Sequence, residues 1–218
     1  MKQIIAIVIF LFLTLPAFAQ GSKTKSFEGT IKYSIDIAGP EAGVLMNNKP
    51  CTKMDMHFKD NNFIIHTHEG QFPLTRLYIA DSSELYILDM TNEVAYRRDK
   101  LESLNTEIKP PKAIATGDSA FVLNIKCAIY RVQKKGEYIF YYVTDLYRID
   151  PTLFEGKKDA QVNFLTLGLD GRIPLKTVRK TAALIVTTQA DQVIPRKLEV
   201  IQFRIPANFI IKPRDNRL

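Results

Sequence analysis

The sequence has little of what catalysis and cofactor chemistry require. It contains no G-x-S-x-G elbow, no H-E-x-x-H pair, no glycine-rich phosphate loop and no cysteine–histidine arrangement beside a base. The "LDGR" at 169–172 offers a single aspartate, too few for a calcium loop. Acidic pairs such as Asp89 and Glu93 read as turn residues rather than as a glycosidase couple. These absences point away from an enzyme and from a resident cofactor. No Lys/Arg block interleaved with aromatics occurs, so nucleic acid is not an expected partner. Beyond the first 19 residues there is no long apolar run, so the rest of the chain is not expected to span a membrane.

What is present begins with a leader. Met1-Lys2-Gln3 precede an uncharged run from Ile4 to Leu15, then Pro16 and Ala17-Phe18-Ala19. A basic start, a short apolar core and an A-x-A end make a Sec-type signal peptide over 1–19, cleaved after Ala19. The run is shorter than the roughly 20 apolar residues a membrane span needs. No cysteine lies near the cleavage point, so a lipid-anchored N-terminus is not expected. Residues 20–218 then form one domain, periplasmic or secreted. The full-chain net charge of +7 includes Lys2, which leaves +7 − 1 = +6 after cleavage. The charges are scattered, as on a solvated surface. The two cysteines are Cys51 and Cys127. Export permits a disulfide between them, yet both could equally be free, and Cys127 reads as a small apolar residue on a buried strand face.

The dominant pattern is alternation with period two. "FEGTIKYSIDIAG" (27–39) sets Ile31, Tyr33, Ile35 and Ile37 against polar neighbours. "CTKMDMHF" puts Met54, Met56 and Phe58 on one face and Lys53, Asp55 and His57 on the other. "RLYIADSSELYILDM" reads as two strands around Asp81-Ser82-Ser83, and "EVAYRRD" follows Thr91-Asn92. "SAFVLNIKCAIYRVQKKGEYIFYYVTDLYRI" reads as a hairpin turning at Lys134-Lys135-Gly136, with Phe121, Leu123, Ile125, Cys127 and Ile129 on one face. "RIPLKTVRKTAALIVTTQ" and "IPRKLEVIQFRIP" read as a further pair. Two stretches break the pattern: 101–118, a surface excursion or a short helix plus loop, and 151–172, where a short helix is predicted near 157–167. The expected fold is mainly β, a single strongly curved antiparallel sheet with one or two short covering helices, because an apolar face must be covered or closed on itself.

This layout resembles the LolA-like lipoprotein-carrier superfamily, nearest to its small exported domains of unknown function. The resemblance rests on the "FEGTIKYSI" strand, the "MDMHFKDNNFII" hairpin, "LYILDMTNEVAYR", the strand Leu123–Tyr130 leading to "EYIFYYVTDLY", and the closing Phe203–Phe209 segment. Asn124 and Ile125 stand where those domains often have Gly and Tyr. The resemblance implies a half-open barrel whose concave apolar face holds an acyl chain or lipoprotein. It supplies no acyl-binding motif that maps onto residues here.

Two constellations remain. All three histidines, His57, His66 and His68, lie in "KMDMHFKDNNFIIHTH" (53–68). If Asn61-Asn62 form the turn, His57 faces His66 and Asp55 faces His68, close enough for Zn²⁺ or Cu²⁺. If Asp60-Asn61 form it, His57 faces Ile64 and the cluster loosens. Solvated histidines on a hairpin are common, so a plain hairpin is the expectation and metal the secondary reading. The second constellation is aromatic. Phe140, Tyr142, Leu146 and Tyr138 alternate on one strand, with Tyr78, Tyr86 and Tyr96 on others. Of these, Tyr78, Tyr86, Phe140 and Tyr142, together with Met54, Met56 and Phe58, define a groove for an apolar or acyl ligand, or else an ordinary sheet core. The first reading is a non-enzymatic exported binding protein. The second is an envelope interaction or scaffold protein with a filled core.

Overall fold

A computed structural model describes residues 26–98, 112–151 and 168–213. The expected signal peptide, most of the 101–118 excursion and the helix expected at 157–167 lie outside the described residues. The strands in chain order are β1 (Gly29–Ala38), β2 (Lys53–Lys59), β3 (Asn62–His68), β4 (Thr75–Ile79), β5 (Glu84–Asp89), β6 (Val94–Arg98), β7 (Ile114–Val122), β8 (Ile125–Lys134), β9 (Glu137–Arg148), β10 (Arg172–Thr181), β11 (Ile185–Pro195) and β12 (Ile210–Pro213). They form one 12-stranded sheet in the order β12-β6-β5-β4-β3-β2-β1-β11-β10-β9-β8-β7, open at its β12 and β7 edges. Every neighbouring pair is antiparallel except β12 with β6.

The period-two sequence explains this architecture, since each strand offers one apolar row to one face. Ile31 pairs with Met56 and Tyr33 with Met54. Phe58 pairs with Phe63 and Phe63 with Tyr78. These inward side chains belong to the main core cluster, with Met54 packed against it, together with Leu85 of β5, Ile173 and Leu175 of β10, Cys127 of β8 and Val122 of β7. Bulges at Lys32/Tyr33 in β1, at Arg172/Pro174 and Pro174/Lys176 in β10, and at Ala115/Ser119 in β7 interrupt the ladders. Each adds twist, so the sheet curls enough to bury residues of β5 and β7 in one cluster.

Several local features differ from the sequence reading. Strand β7 begins at Ile114, so the end of the 101–118 excursion is strand. Leu123 and Asn124 both have positive φ (51° and 61°) and form the β7–β8 turn. Phe121 and Leu123 are therefore not on one continuous strand face with Ile125 and Cys127. The helix α1 (Ala42–Asn47) buries no residue, so it does not cover the sheet. The "IPRKLEVIQFRIP" segment is not a hairpin strand. Only Ile194 and Pro195 belong to β11, whose hairpin partner is β10. Residues 196–209 instead leave β11 and cross the opposite sheet face to reach β12 on the far side of β6. On the way a 3-10 turn (Val200–Phe203) touches β3 and β4. Leu198 and Phe203 are buried there with Ile64, Leu77, Tyr86, Leu88 and Ala95. The cover of this face is thus an irregular strap bracketed by Pro195 and Pro206.

Candidate functional site

Two surfaces of this sheet concentrate the residues singled out from the sequence. The inner one is the main core cluster. Met56, Phe58 and Tyr78 are sealed within it at 4%, 0% and 2% exposure. Their neighbours interlock ring against ring: Phe63 stacks on Tyr78 at 5.0 Å between centroids, and Phe27 meets Phe58 at 5.9 Å and Tyr147 at 5.1 Å edge-on. Around this floor, Met54, Ile125, Tyr142, Tyr147 and Val193 are half-buried and pack against it. Lys176 Nζ lies 5.5 Å from the Tyr142 ring centre, a cation–π approach at the rim. Tyr33 reaches through the core to donate from its hydroxyl to the Pro174 carbonyl at 3.0 Å. Burial raises its phenol pKa well above the ordinary value.

The seven expected groove residues do not share this surface. Met54, Met56, Phe58, Tyr78 and Tyr142 belong to it or pack on it. Tyr86 pairs with Leu77, one residue out of phase with the Tyr78–Leu85 pair, and so lies on the opposite face under the strap. Its hydroxyl donates to Glu84 Oε2 at 2.7 Å, and burial with that bond pushes its pKa to about 12. Phe140 is half-buried and belongs to none of the core clusters, while Leu146 is exposed. Ile139, Tyr141 and Val143, their alternates on β9, are buried instead in a third cluster with Val132 and Leu169.

The outer surface carries the histidines. Asp60 and Asn61 form the hairpin turn with positive φ at both (48° and 66°), and Lys59 pairs with Asn62. His57 therefore faces Ile64, Asp55 faces His66 and Lys53 faces His68. The rings still approach diagonally, with centroids 5.4 Å apart for His57–His66 and 6.1 Å for His66–His68. His57 Nδ1 lies 2.8 Å from Thr30 Oγ1, and His66 Nδ1 lies 3.0 Å from Thr75 Oγ1. His68 Nε2 stands 3.6 Å from Asp55 Oδ2. Among the described residues, no group of three or more His, Cys, Asp or Glu side chains is placed to hold a metal ion. Desolvation, then the neighbouring His66, lowers the His57 pKa to about 4. Desolvation, then His68, lowers that of His66. Both are neutral at neutral pH.

Cys51 and Cys127 do not form the disulfide that export would permit. Both are free: Cys127 is fully buried in the main core, and Cys51 lies in the loop before β2, its thiol donating to the Phe72 carbonyl at 3.4 Å. Burial raises the Cys127 thiol pKa, which keeps it protonated and unreactive.

Sequence reasoning missed the strap and its anchors. Arg196 donates to Thr30 Oγ1 at 3.2 Å, and the Leu198 amide donates to Glu28 Oε1 at 2.8 Å. The same carboxylate oxygen receives Lys59 Nζ at 2.7 Å. The available signal was Pro195 and Pro206, neither of which donates to a ladder.

No protein-family profile matches the chain, and no curated protein matches it significantly. Among solved structures the chain overlays PNGF-II in a C2 crystal form with a TM-score of 0.51 and 13% identity, over 86% of this chain and 31% of that one. The P21 form of PNGF-II gives 0.48 and 14%, over 85% and 32%. LprF from Mycobacterium bovis gives 0.34 and 7%, over 84% and 90%. The chain thus spans about a third of the PNGF-II chain it overlays, and at this identity the likeness concerns the fold alone. Among the described residues no helix is long and apolar enough to cross a membrane.

Proposed function

We propose that this chain is an exported, non-enzymatic binding protein of LolA-like architecture, which holds an apolar or acyl ligand against the rim of its inner face. The observation that carries the reading is the contrast between a sealed floor and a half-open rim. Met56, Phe58 and Tyr78 have no surface left to offer, whereas Met54, Ile125, Tyr142, Tyr147 and Val193 are apolar and half-buried. A ligand laid on that rim removes their remaining apolar area from water, at about 25 cal/mol per Å². Met54 adapts to irregular shapes, and Tyr142 presents an aromatic face. The leader and the sequence motifs supply the expectation of export and of a lipid or lipoprotein as partner.

The test is native mass spectrometry of the protein purified from its own periplasm. The reading expects a mature chain beginning at Gln20 that carries an adduct of acyl-lipid mass. A mature chain that never carries one, even after incubation with fatty acid, removes the reading.

A second reading has its own observation. The stacked Phe63–Tyr78 pair and the edge-on contacts of Phe27 fill the inner face with the chain's own rings. That packing suits an envelope interaction protein with a filled core, whose partner is another envelope protein.

A further inference from the structure

The outer face combines three features that neither reading of the inner face uses: a row of histidines, a buried threonine shared between two elements, and a strap fastened above an apolar cluster. We propose that residues 196–209 are an acid-released strap, fastened at neutral pH through the chain Arg196–Thr30–His57 and loosened when His57 and His66 take up protons.

Thr30 is 1% exposed, so its hydroxyl must find its partners within the protein. Arg196 can only donate, so Thr30 Oγ1 accepts from it. The one hydroxyl proton of Thr30 is then free to go to His57 Nδ1, 2.8 Å away, which places the His57 proton on Nε2. The arrangement gives Thr30 Oγ1 both an acceptor and a donor, and gives His57 Nδ1 its donor, while His57 is neutral. Once His57 is protonated, both its ring nitrogens are donors. Thr30 Oγ1 must then accept from two cations, and its own proton loses its acceptor. His66, whose ring centroid is 5.4 Å from that of His57, adds a second charge when it ionises.

The charged surroundings do not reverse this. Facing His57 are Asp55 from its own strand, His66 and His68 from β3, and Arg196 from the strap. Asp55 favours the charged imidazole and the other three oppose it. Asp55 is also engaged by His68 at 3.6 Å. From the β1 side, Glu28 holds the Leu198 amide and Lys59. Glu28 is therefore a second anchor of the strap. The strap itself is lightly built. It contributes Leu198 and Phe203 as buried residues, with Ile205 and Phe209 packed behind them, while Val200 and Ile201 are exposed. Its release bares Ile64, Leu77, Tyr86, Leu88 and Ala95, an apolar patch on the face opposite the proposed rim.

The experiment uses the full mature chain. The sequence has no tryptophan, so Phe203→Trp makes a single fluorescent reporter at the centre of the strap. The proposal expects a reversible red shift of emission as pH falls from 7 toward 4, with far-UV circular dichroism unchanged. With His57→Gln and His66→Gln added, the midpoint should move at least one pH unit lower. Hydrogen exchange at Val200–Phe203, corrected for intrinsic pH dependence and referenced to β8 and β9, gives the same readout without the reporter. An unchanged midpoint in the double Gln variant overturns the proposal, as does a transition that Glu28→Gln abolishes while the emission at pH 7 stays that of the closed strap. Loss of the strap and of β8–β9 protection in a single step also overturns it, because that is global acid unfolding.

Discussion

Tyr33 and His57 show how single side chains tie the two faces of the sheet to the rest of the molecule. Tyr33 spans the core to the Pro174 carbonyl at a bulge of β10. Tyr33→Phe leaves that carbonyl without its side-chain donor in a buried setting. Urea denaturation should record a loss of about 1–3 kcal/mol, with an unchanged slope against denaturant. His57 sets a pH dependence. Its pKa is about 4 in the folded chain against an ordinary 6.5, so between these values the unfolded chain binds more protons than the folded one. The stabilisation is complete above about pH 6.5 and is lost as pH falls toward 4. The site is only half-buried, so solvent screening reduces the effect to about 1–2 kcal/mol. His57→Gln should flatten the stability profile in that window, and denaturation midpoints at pH 7, 5.5 and 4.5 check it.

Among the elements, the turns carry the clearest energetic signature. Leu123 holds φ at 51°, a conformation that costs a branched side chain roughly 1 kcal/mol and that asparagine tolerates better. Leu123 is also 41% exposed, so little packing is lost on replacing it. Leu123→Asn should raise stability by about 0.5–1 kcal/mol, seen as a Tm increase of a few degrees in calorimetry. The strands were legible in the sequence because alternation is read one residue at a time, and β1, β2, β4, β5 and β6 fall where that alternation puts them. Register was not legible. Both Asp60-Asn61 and Asn61-Asn62 make acceptable turns. The first prevails because it pairs Phe58 with Phe63 on the inner face, where the second would set Asp60 against Phe63. Asn61 Oδ1 also accepts from Ser26 and from the Asp150 amide in that arrangement, contacts with segments far away in sequence. The strap was misread for a related reason. Ile201, Phe203 and Ile205 are apolar at the period-two spacing a strand also shows, and only the sheet order reveals that this segment must cross a face.

At the scale of the whole molecule, one sheet supplies both surfaces. Its curvature seals an aromatic floor on the inside, and its connectivity forces a covering strap on the outside. Of the residues singled out from the sequence, Met54, Met56, Phe58, Tyr78 and Tyr142 lie in or against one core cluster. Tyr86 lies in the other cluster, since a phase difference of one residue between strands places a side chain on either face. The division between floor and rim was also invisible, because it depends on how far the sheet curls. The distinction changes which substitution is informative. Met56→Asp puts a charge in a sealed core and perturbs folding before binding, whereas Met54→Asp alters the rim with less damage to the floor. The deciding measurement is therefore a titration with a fluorescent fatty acid of the wild type, of Met54→Asp, and of Met46→Asp on the exposed helix α1, each verified as folded by circular dichroism. The account predicts saturable binding by the wild type and Met46→Asp, and at least a tenfold loss of affinity in Met54→Asp. A wild type that binds no acyl probe, or a folded Met54→Asp that binds as tightly as the wild type, would contradict it.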